Sequence, residues 1–323
     1  MPNRQRVFIT GASGCIGHYL VELLMQQTEH ELFLLVRHPD KLQVPWQGCA
    51  NVHVLPGDLR NIYRFKDLLA TMDTAILTAA AWGDPIATFD VNVSKTLELM
   101  SYLDGDRCQQ VIYFSTASIL DRHHRPLKQA GELGTDYIRS KYICHQRLKE
   151  VAIAPKITTV YPTLVFGGDA QKPYSHLSNG LGDVLKWLWL IRFFRVDGSF
   201  HFVHARDIAQ VVAHLVDHPP KEGEGRSLVL GNPALTANQA IRELARAHRQ
   251  RPYLGVPLMP FADLVIRVFR IQMAAWDRFC LRYRHFAYDN PVNPATFGYP
   301  VYCETVTDLL TAHPLLARVG SKV

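Results

Sequence analysis

Cysteine is scarce and falls into no pattern. The chain of 323 residues carries six, at Cys15, Cys49, Cys108, Cys144, Cys280 and Cys303, with no Cys-x-x-Cys among them. That spacing excludes the common zinc patterns and a disulfide framework, so the thiols are expected to be reduced and structural. Long apolar runs are also missing: no stretch of about 18 residues, the length a membrane span needs, is free of charge. The chain passes from Met1 into a strand pattern at Val7, which leaves no room for a secretory leader, and a cytoplasmic protein is expected. There is no internal repeat, low-complexity tract or Gly/Ser linker, so any second domain must be interleaved rather than appended. With 48% hydrophobic and 20% charged residues the chain can bury a full core, as one large α/β domain or two closely joined ones. The net charge of +6 suits nucleic acid, an anionic membrane surface or a phosphorylated ligand. Nucleic acid is the least supported, because the basic residues are dispersed and no nucleic-acid motif accompanies them.

What the chain does have is a short β-branched and aromatic run that meets a glycine-rich turn, Arg6-Val-Phe-Ile-Thr-Gly-Ala-Ser-Gly-Cys-Ile-Gly17. This is the pattern of a phosphate-binding strand-turn-helix, spaced Gly-x-x-Gly-x-x-Gly. Gly11 permits the tight turn, Gly14 removes a side chain where a pyrophosphate approaches, and Gly17 lets the helix pack on the strand. The N–H groups around Ser13, Cys15 and Ile16 and the positive end of the helix then face the phosphates. A glycine turn with no ligand is the competing reading. Downstream, strand-like runs at 32–36, 52–55, 75–78, 111–115 and 157–161 alternate with helical patterns at 15–27, 64–71, 86–103 and 136–152. That alternation predicts an α/β fold with a doubly wound parallel sheet, whose ligands bind at the carboxyl ends of the strands.

The chemistry-bearing residues fall at those ends. After the second strand stands Arg37, with Lys41 beyond it, where an NAD-selective fold places Asp or Glu on the ribose 2′-hydroxyl. A guanidinium there can grip a 2′-phosphate in bidentate fashion, which makes NADP(H) the expected cofactor. Asp58 and Leu59 follow the third strand, where the carboxylate can accept from an adenine amino group or simply cap a helix. Ala79 and Ala80 follow the fourth strand and Ser115 and Thr116 the fifth. In Tyr137-Ile-Arg-Ser-Lys141 a phenol and an ammonium four residues apart share one helix face. A neighbouring cation, together with an oxidised nicotinamide, favours the phenolate and brings tyrosine toward a useful acid/base value. Lys141 can also hold the nicotinamide ribose hydroxyls.

Together these residues resemble the extended short-chain dehydrogenase/reductase family, which is also that of the NAD-dependent epimerases and dehydratases. The resemblance covers about residues 6–210 and rests on Thr10–Gly17, Gly57-Asp-Leu59, Asn92-Val93 with Thr96, Phe114-Ser-Thr116, Tyr137-x-x-x-Lys141, Pro162-Thr-Leu-Val-Phe-Gly167 and Phe202-Val-His-Ala-Arg-Asp-Ile-Ala209. It implies Tyr137 as acid/base, Lys141 as its electrostatic partner and Thr116, in place of the usual Ser, as the hydroxyl on the substrate oxygen. It also implies cofactor contacts from Asn92, Pro162 and Thr163. Further implications are a Rossmann-type core over 1–161 and 196–232, an interleaved substrate region over 162–195 and 233–323, and homodimerisation through the helices near 86–103 and 136–152.

Departures from the family pattern bear on the substrate. Nucleotide-sugar members carry Arg-Pro-x-Asn after the sixth strand, and here the Arg is Tyr161 and the Asn is Leu164. Ser199-Phe200-His201 also replaces a segment that usually brings an Arg. These losses tilt the reading toward an uncharged, lipophilic ketone, aldehyde or alcohol, as in the dihydroflavonol reductase and hydroxysteroid dehydrogenase branch. Residues 184–194 read as a helix apolar nearly all round, fit for core burial, a greasy pocket or lipid. A helical pattern over 261–286 sets Leu264, Val265, Val268, Phe269, Trp276, Phe279 and Tyr283 opposite Arg267, Arg270, Arg278 and Arg282. That pattern is either a solvated surface face or a peripheral contact with an anionic membrane. His204 and the pair His123-His124 read as structural rather than metal-binding. The expected protein is an NADP-dependent oxidoreductase. An epimerase or dehydratase with tightly held cofactor is the alternative within enzymes, and a catalytically silent NADPH-binding scaffold the alternative outside them.

Overall fold

The computed structural model describes residues 4–221, 225–253, 255–258 and 273–312. Seven strands form one sheet: β1 (Arg6–Thr10), β2 (Glu31–Val36), β3 (Val52–Pro56), β4 (Thr74–Leu77), β5 (Gln110–Phe114), β6 (Ile157–Pro162) and β7 (Arg226–Leu230). They lie in the order β7-β6-β5-β4-β1-β2-β3, and every pairing is parallel. Both faces are covered, which is why the strands read as apolar runs rather than as alternation. Val7 and Ile9 face a core shared with α1 (Cys15–Gln27), whereas Phe8 faces a second core with Leu97, Met100 and Cys144. This is a Rossmann-type α/β fold. The strand order reverses between β1 and β4, so the crevice for a ligand opens at the carboxyl ends of those two strands.

α1 has the extent that the sequence predicts. The expected helix at 86–103 is instead wound in three pieces: Pro85–Phe89, a π-helical turn over Asp90–Lys95, and Thr96–Ser101. The widened turn carries Asn92, in keeping with the habit of π-bulges to occur at functional positions. Of the expected helix at 64–71, residues Lys66–Leu69 form one α-turn, preceded by a 3₁₀ run over Leu59–Phe65. The helix predicted from 136 runs as α2 (Asp136–Arg147) and tightens into a 3₁₀ turn at Leu148–Glu150.

Beyond β6 the chain is knitted together from distant segments. Leu164–Phe166 pairs with Phe202–His204, and Ser199–Phe200 lies between Leu235–Thr236 and His285–Phe286. Two expectations need correction here. Residues 184–194 do not form one helix, since α3 (His176–Lys186) ends before a short turn at Leu188–Ile191 and a strand at Phe194–Arg195. Nor are they simply core: Trp187 is 57% and Trp189 55% exposed, beside an open apolar cleft of about 510 Å³ lined by Val184, Trp187, Leu190 and Phe194. The continuous helix expected over 261–286 does not exist either, because residues 273 and 274 are not helical. α4 (Ala275–Tyr283) starts afresh and stops where Arg284 turns to φ +54. Trp276 is buried there with Phe279 and Tyr283 packed beside it, and Arg278 and Arg282 are exposed. Leu264, Val265, Arg267, Val268, Phe269 and Arg270 lie outside the described residues.

Candidate active site

The glycine turn closes on itself by contact. A Cβ on Gly11, whose φ is +74, would lie 2.5 Å from Thr78 Oγ1 and 2.7 Å from the Ala79 nitrogen. One on Gly17 would lie 2.1 Å from the Gly11 carbonyl oxygen. Gly14 differs, because a Cβ there would meet only the Gly11 oxygen, at 3.2 Å. It is exposed, and it begins α1 with no side-chain cap and no acidic residue in the first turn. The N–H groups of that first turn, Cys15 and Ile16 included, are therefore available to an anion, with half-exposed Ser13 beside them. Burial, with Asp169 nearby, pushes the Cys15 thiol up to about 12 and keeps it neutral. The turn is tied to the end of β4: the Thr78 hydroxyl donates to the Thr10 carbonyl (2.6 Å), and the Ala79 N–H donates to the Thr10 hydroxyl (3.3 Å).

Arg37 and Lys41 are both exposed beyond β2, and among the described residues no hydrogen bond or ion pair engages the Arg37 guanidinium. Asp58 caps the Leu59–Phe65 run by accepting from the Arg60 N–H, and it is gripped at both oxygens by the Arg60 side chain at 3.1 and 2.8 Å. Those bonds, partly opposed by burial, hold its carboxyl below the usual range. The Leu59 side chain is buried in the core under the sheet, which leaves its backbone as the part able to meet a ligand.

At the end of β5, Ser115 is buried and its Oγ has no partner among the described residues. Thr116 is half-buried and accepts from the Ser118 N–H at 3.3 Å. α2 brings Tyr137 and Lys141 to the same end of the sheet, and Lys141 is almost completely buried. Its ammonium donates to the Phe114 carbonyl at 2.7 Å and lies 6.0 Å from the centre of the Tyr137 ring. Burial pushes Lys141 down to about 8. Burial pushes the Tyr137 hydroxyl well above its ordinary value, and the Lys141 cation, turned to a carbonyl, does not by itself offset that cost. Pro162 ends β6, and the Thr163 hydroxyl donates to the Leu230 carbonyl at 2.9 Å. Ala79 is half-buried and Ala80 exposed on the loop beyond β4.

A dinucleotide fits this arrangement. An open helix N-terminus with a bare glycine, an unpartnered buried hydroxyl at Ser115 and a cation at each end of the crevice are what a molecule with two phosphates and two riboses requires. The family model that matches the chain, NAD dependent epimerase/dehydratase family, covers residues 7–231. The chain belongs to the NAD-dependent epimerase/dehydratase family. Solved structures share the fold at low identity. The crystal structure of gox2253 has a TM-score of 0.68 at 20% identity, over 98% of this chain and 99% of that one. WbmG of Bordetella bronchiseptica, solved with NAD, has 0.64 at 16%, over 98% and 95%. UDP-N-acetylglucosamine 4-epimerase of Methanobrevibacter ruminantium, in complex with UDP-N-acetylmuramic acid, has 0.58 at 16%, over 79% and 85%. No curated protein matches.

Three more side chains bear on the site in this family member, of which Asn92 was expected from the sequence and Trp82 and His18 were not. Asn92, expected at the cofactor, spends its amide on protein: Oδ1 accepts from the Ala81 N–H (2.8 Å), and Nδ2 donates to the Ala81 carbonyl and the Ser140 hydroxyl (both 3.0 Å). Trp82 then stacks on Tyr137, with ring centres 3.6 Å apart and planes 11° from parallel. An aromatic residue directly after Ala79–Ala81 was the available signal. Fully buried His18 links the glycine turn to the segment beyond Lys41, with Nδ1 on the Gly14 carbonyl (2.9 Å) and Nε2 on the Gln43 N–H (3.1 Å). Those partners assign a neutral ring protonated at Nδ1. Burial lowers its pKa, so the unfolded chain takes up the proton first and stability falls as pH drops below about 6.5. We predict that His18→Leu loses about 1–3 kcal/mol at neutral pH, and that the wild-type advantage over it shrinks as pH falls from 7 to 5, read by denaturant unfolding. A constant difference across that range would contradict the neutral bridging role.

Proposed function

We propose that the protein is an NADP(H)-dependent oxidoreductase, a ketone or aldehyde reductase or an alcohol dehydrogenase, acting on a lipophilic small molecule. The observation that carries the reading is the convergence of Tyr137, Lys141 and Thr116 at the carboxyl end of β5, beside the open end of α1. In this reading Gly14, Ser13, Cys15 and Ile16 hold the pyrophosphate, Arg37 and Lys41 the 2′-phosphate, and Asp58 and Leu59 the adenine side. Ala79, Ala80, Ser115, Pro162 and Thr163 border the nicotinamide half, while Asn92 acts through Ala81. When bound, the dinucleotide supplies or accepts the hydride. Tyr137 gives or takes the proton of the substrate oxygen, Thr116 holds that oxygen, and Lys141 supports the phenolate and the ribose hydroxyls. Because burial raises Tyr137, its phenolate would need a nearby positive charge, which an oxidised nicotinamide would supply when bound.

A nucleotide-sugar epimerase or dehydratase is the second reading. It is favoured by the family itself and by neighbours such as dTDP-glucose 4,6-dehydratase from Streptomyces venezuelae, solved with NAD. Against it, Tyr161, at the position of the family's Arg, is buried and bonded to His145 at 2.8 Å, and Leu164 is 39% exposed where an Asn is usual. The two readings differ in stoichiometry. A reductase oxidises added NADPH in step with a ketone, whereas an epimerase retains its nucleotide through purification and consumes none. We predict that NADPH binds at least about tenfold tighter than NADH, since a charge-assisted pair to the 2′-phosphate contributes about 1.5–3 kcal/mol, and that Arg37→Ala removes the difference. Equal affinities in the wild type would remove the NADP assignment.

Assembly and location belong to the same proposal: a homodimer formed through the 85–101 helices, where Ile86 is 82% exposed, and α2, in the cytoplasm. No helix among the described residues is long and apolar enough to cross a membrane. Exposed Trp187, Trp189, Leu190 and Phe193, with Arg192 and Arg195 among them, instead support peripheral contact with an anionic membrane. Each arginine at such a surface contributes about 1 kcal/mol. The protein should therefore sediment with anionic liposomes at low salt, release at high salt, and lose the effect in Trp187→Ser/Trp189→Ser. A wild type that ignores anionic liposomes would contradict this contact.

A further inference from the structure

We infer that Trp82 determines substrate choice, and that the site takes substrates carrying a flat apolar ring on the reacting carbon. The inference rests on Tyr137 as the acid/base group. The indole lies almost parallel to the Tyr137 ring, at 3.6 Å between centres, and the His176 ring is tilted 45° to it at 5.1 Å. Trp82 is nevertheless 54% exposed, so much of a large aromatic surface beside the acid stays in solvent. That exposure is not looseness. Ala81 is clamped at both its N–H and its carbonyl by buried Asn92, and Asp84 caps the helix Pro85–Phe89 by accepting from the Ala87 N–H at 2.7 Å. Between those two anchors only Trp82 and Gly83 remain, and Gly83 turns the chain at φ +98 with no neighbour within 4 Å of a would-be Cβ. The backbone on either side of Trp82 is therefore anchored, and the stack on Tyr137 positions the indole itself.

The consequence for a substrate follows from where its oxygen must go. To meet the Tyr137 and Thr116 hydroxyls, it has to bring its reacting carbon alongside the edge of the stacked pair, and the group on that carbon then meets the exposed indole. The part of the indole left in solvent is an uncharged aromatic surface, and a ring laid against it gains the stacking worth of an aromatic pair, which a flexible alkyl chain gains only in part. Polar groups that would reward a sugar diphosphate are absent from the positions that usually provide them: Tyr161 is turned into the core and Leu164 stands exposed.

The test compares acetophenone with 2-octanone, ketones of equal carbon number, as substrates of the NADPH-loaded full chain. The wild type should prefer acetophenone. Trp82→Ala should lose about two- to twelvefold in kcat/KM for acetophenone, chiefly through KM, as expected from an aromatic pair worth about 0.5–1.5 kcal/mol. It should change less than about twofold for 2-octanone, and Trp82→Phe should recover part of the loss. NADPH affinity should be unchanged throughout. Saturation-transfer NMR on the ring protons of acetophenone, with NADP⁺-loaded protein, supplies a second readout: a signal in wild type and in Tyr137→Phe, lost in Trp82→Ala. Equal losses for both ketones, or a ring signal that survives in Trp82→Ala, would overturn the inference. Full turnover by Tyr137→Phe, with the ring preference still dependent on Trp82, would overturn the acid assignment and leave the inference standing.

Discussion

A single close approach governs the architecture. A side chain of any size on Gly17 would collide with the Gly11 carbonyl, so α1 can start directly against the end of β1 only because both positions are bare. That contact aims the N-terminus of α1 along the crevice between β1 and β4. The Thr10–Thr78–Ala79 bonds lock the two strand ends together around it, and His18 carries the constraint on to Gln43, beyond the cationic Arg37–Lys41 segment. Phosphate recognition and the shape of the crevice therefore have one origin.

The second constraint is electrostatic. Burying an ammonium and a phenol side by side costs both of their charged forms, and the protein meets that cost for Lys141 with the Phe114 carbonyl. Burial thus lowers Lys141 to about 8 and favours the protonated form of Tyr137. A positive charge placed close to the phenol would oppose that rise.

Much of this was readable in the residues. β1, β2 and β5 are buried on both faces and so show as largely apolar runs, and the extent of α1 follows from Gly14 and its apolar spacing. The glycine roles at 11 and 17 follow from sterics alone. Other features depend on tertiary partners and could not be read locally. The π turn at Asp90–Lys95 places Asn92 toward a loop eleven residues earlier in the chain. Tyr161 was recognisable as a departure from pattern, but not as a side chain bonded to His145 in the interior. The expected helix over 261–286 failed because periodicity does not report a break at 273–274 or a turn at Arg284. Trp82 gave no periodic signal at all, since its importance comes from the two anchors that flank it.

The central claim is that Tyr137 moves the proton while the dinucleotide moves the hydride. Single-turnover reduction of a lipophilic ketone by NADPH-loaded Tyr137→Phe, with NADPH affinity measured on the same preparation, tests it most directly. The account predicts unchanged affinity and a rate lower by about 10²-fold or more, the usual contribution of a positioned acid. A rate within about twofold of wild type, with the nucleotide bound as tightly, would contradict it.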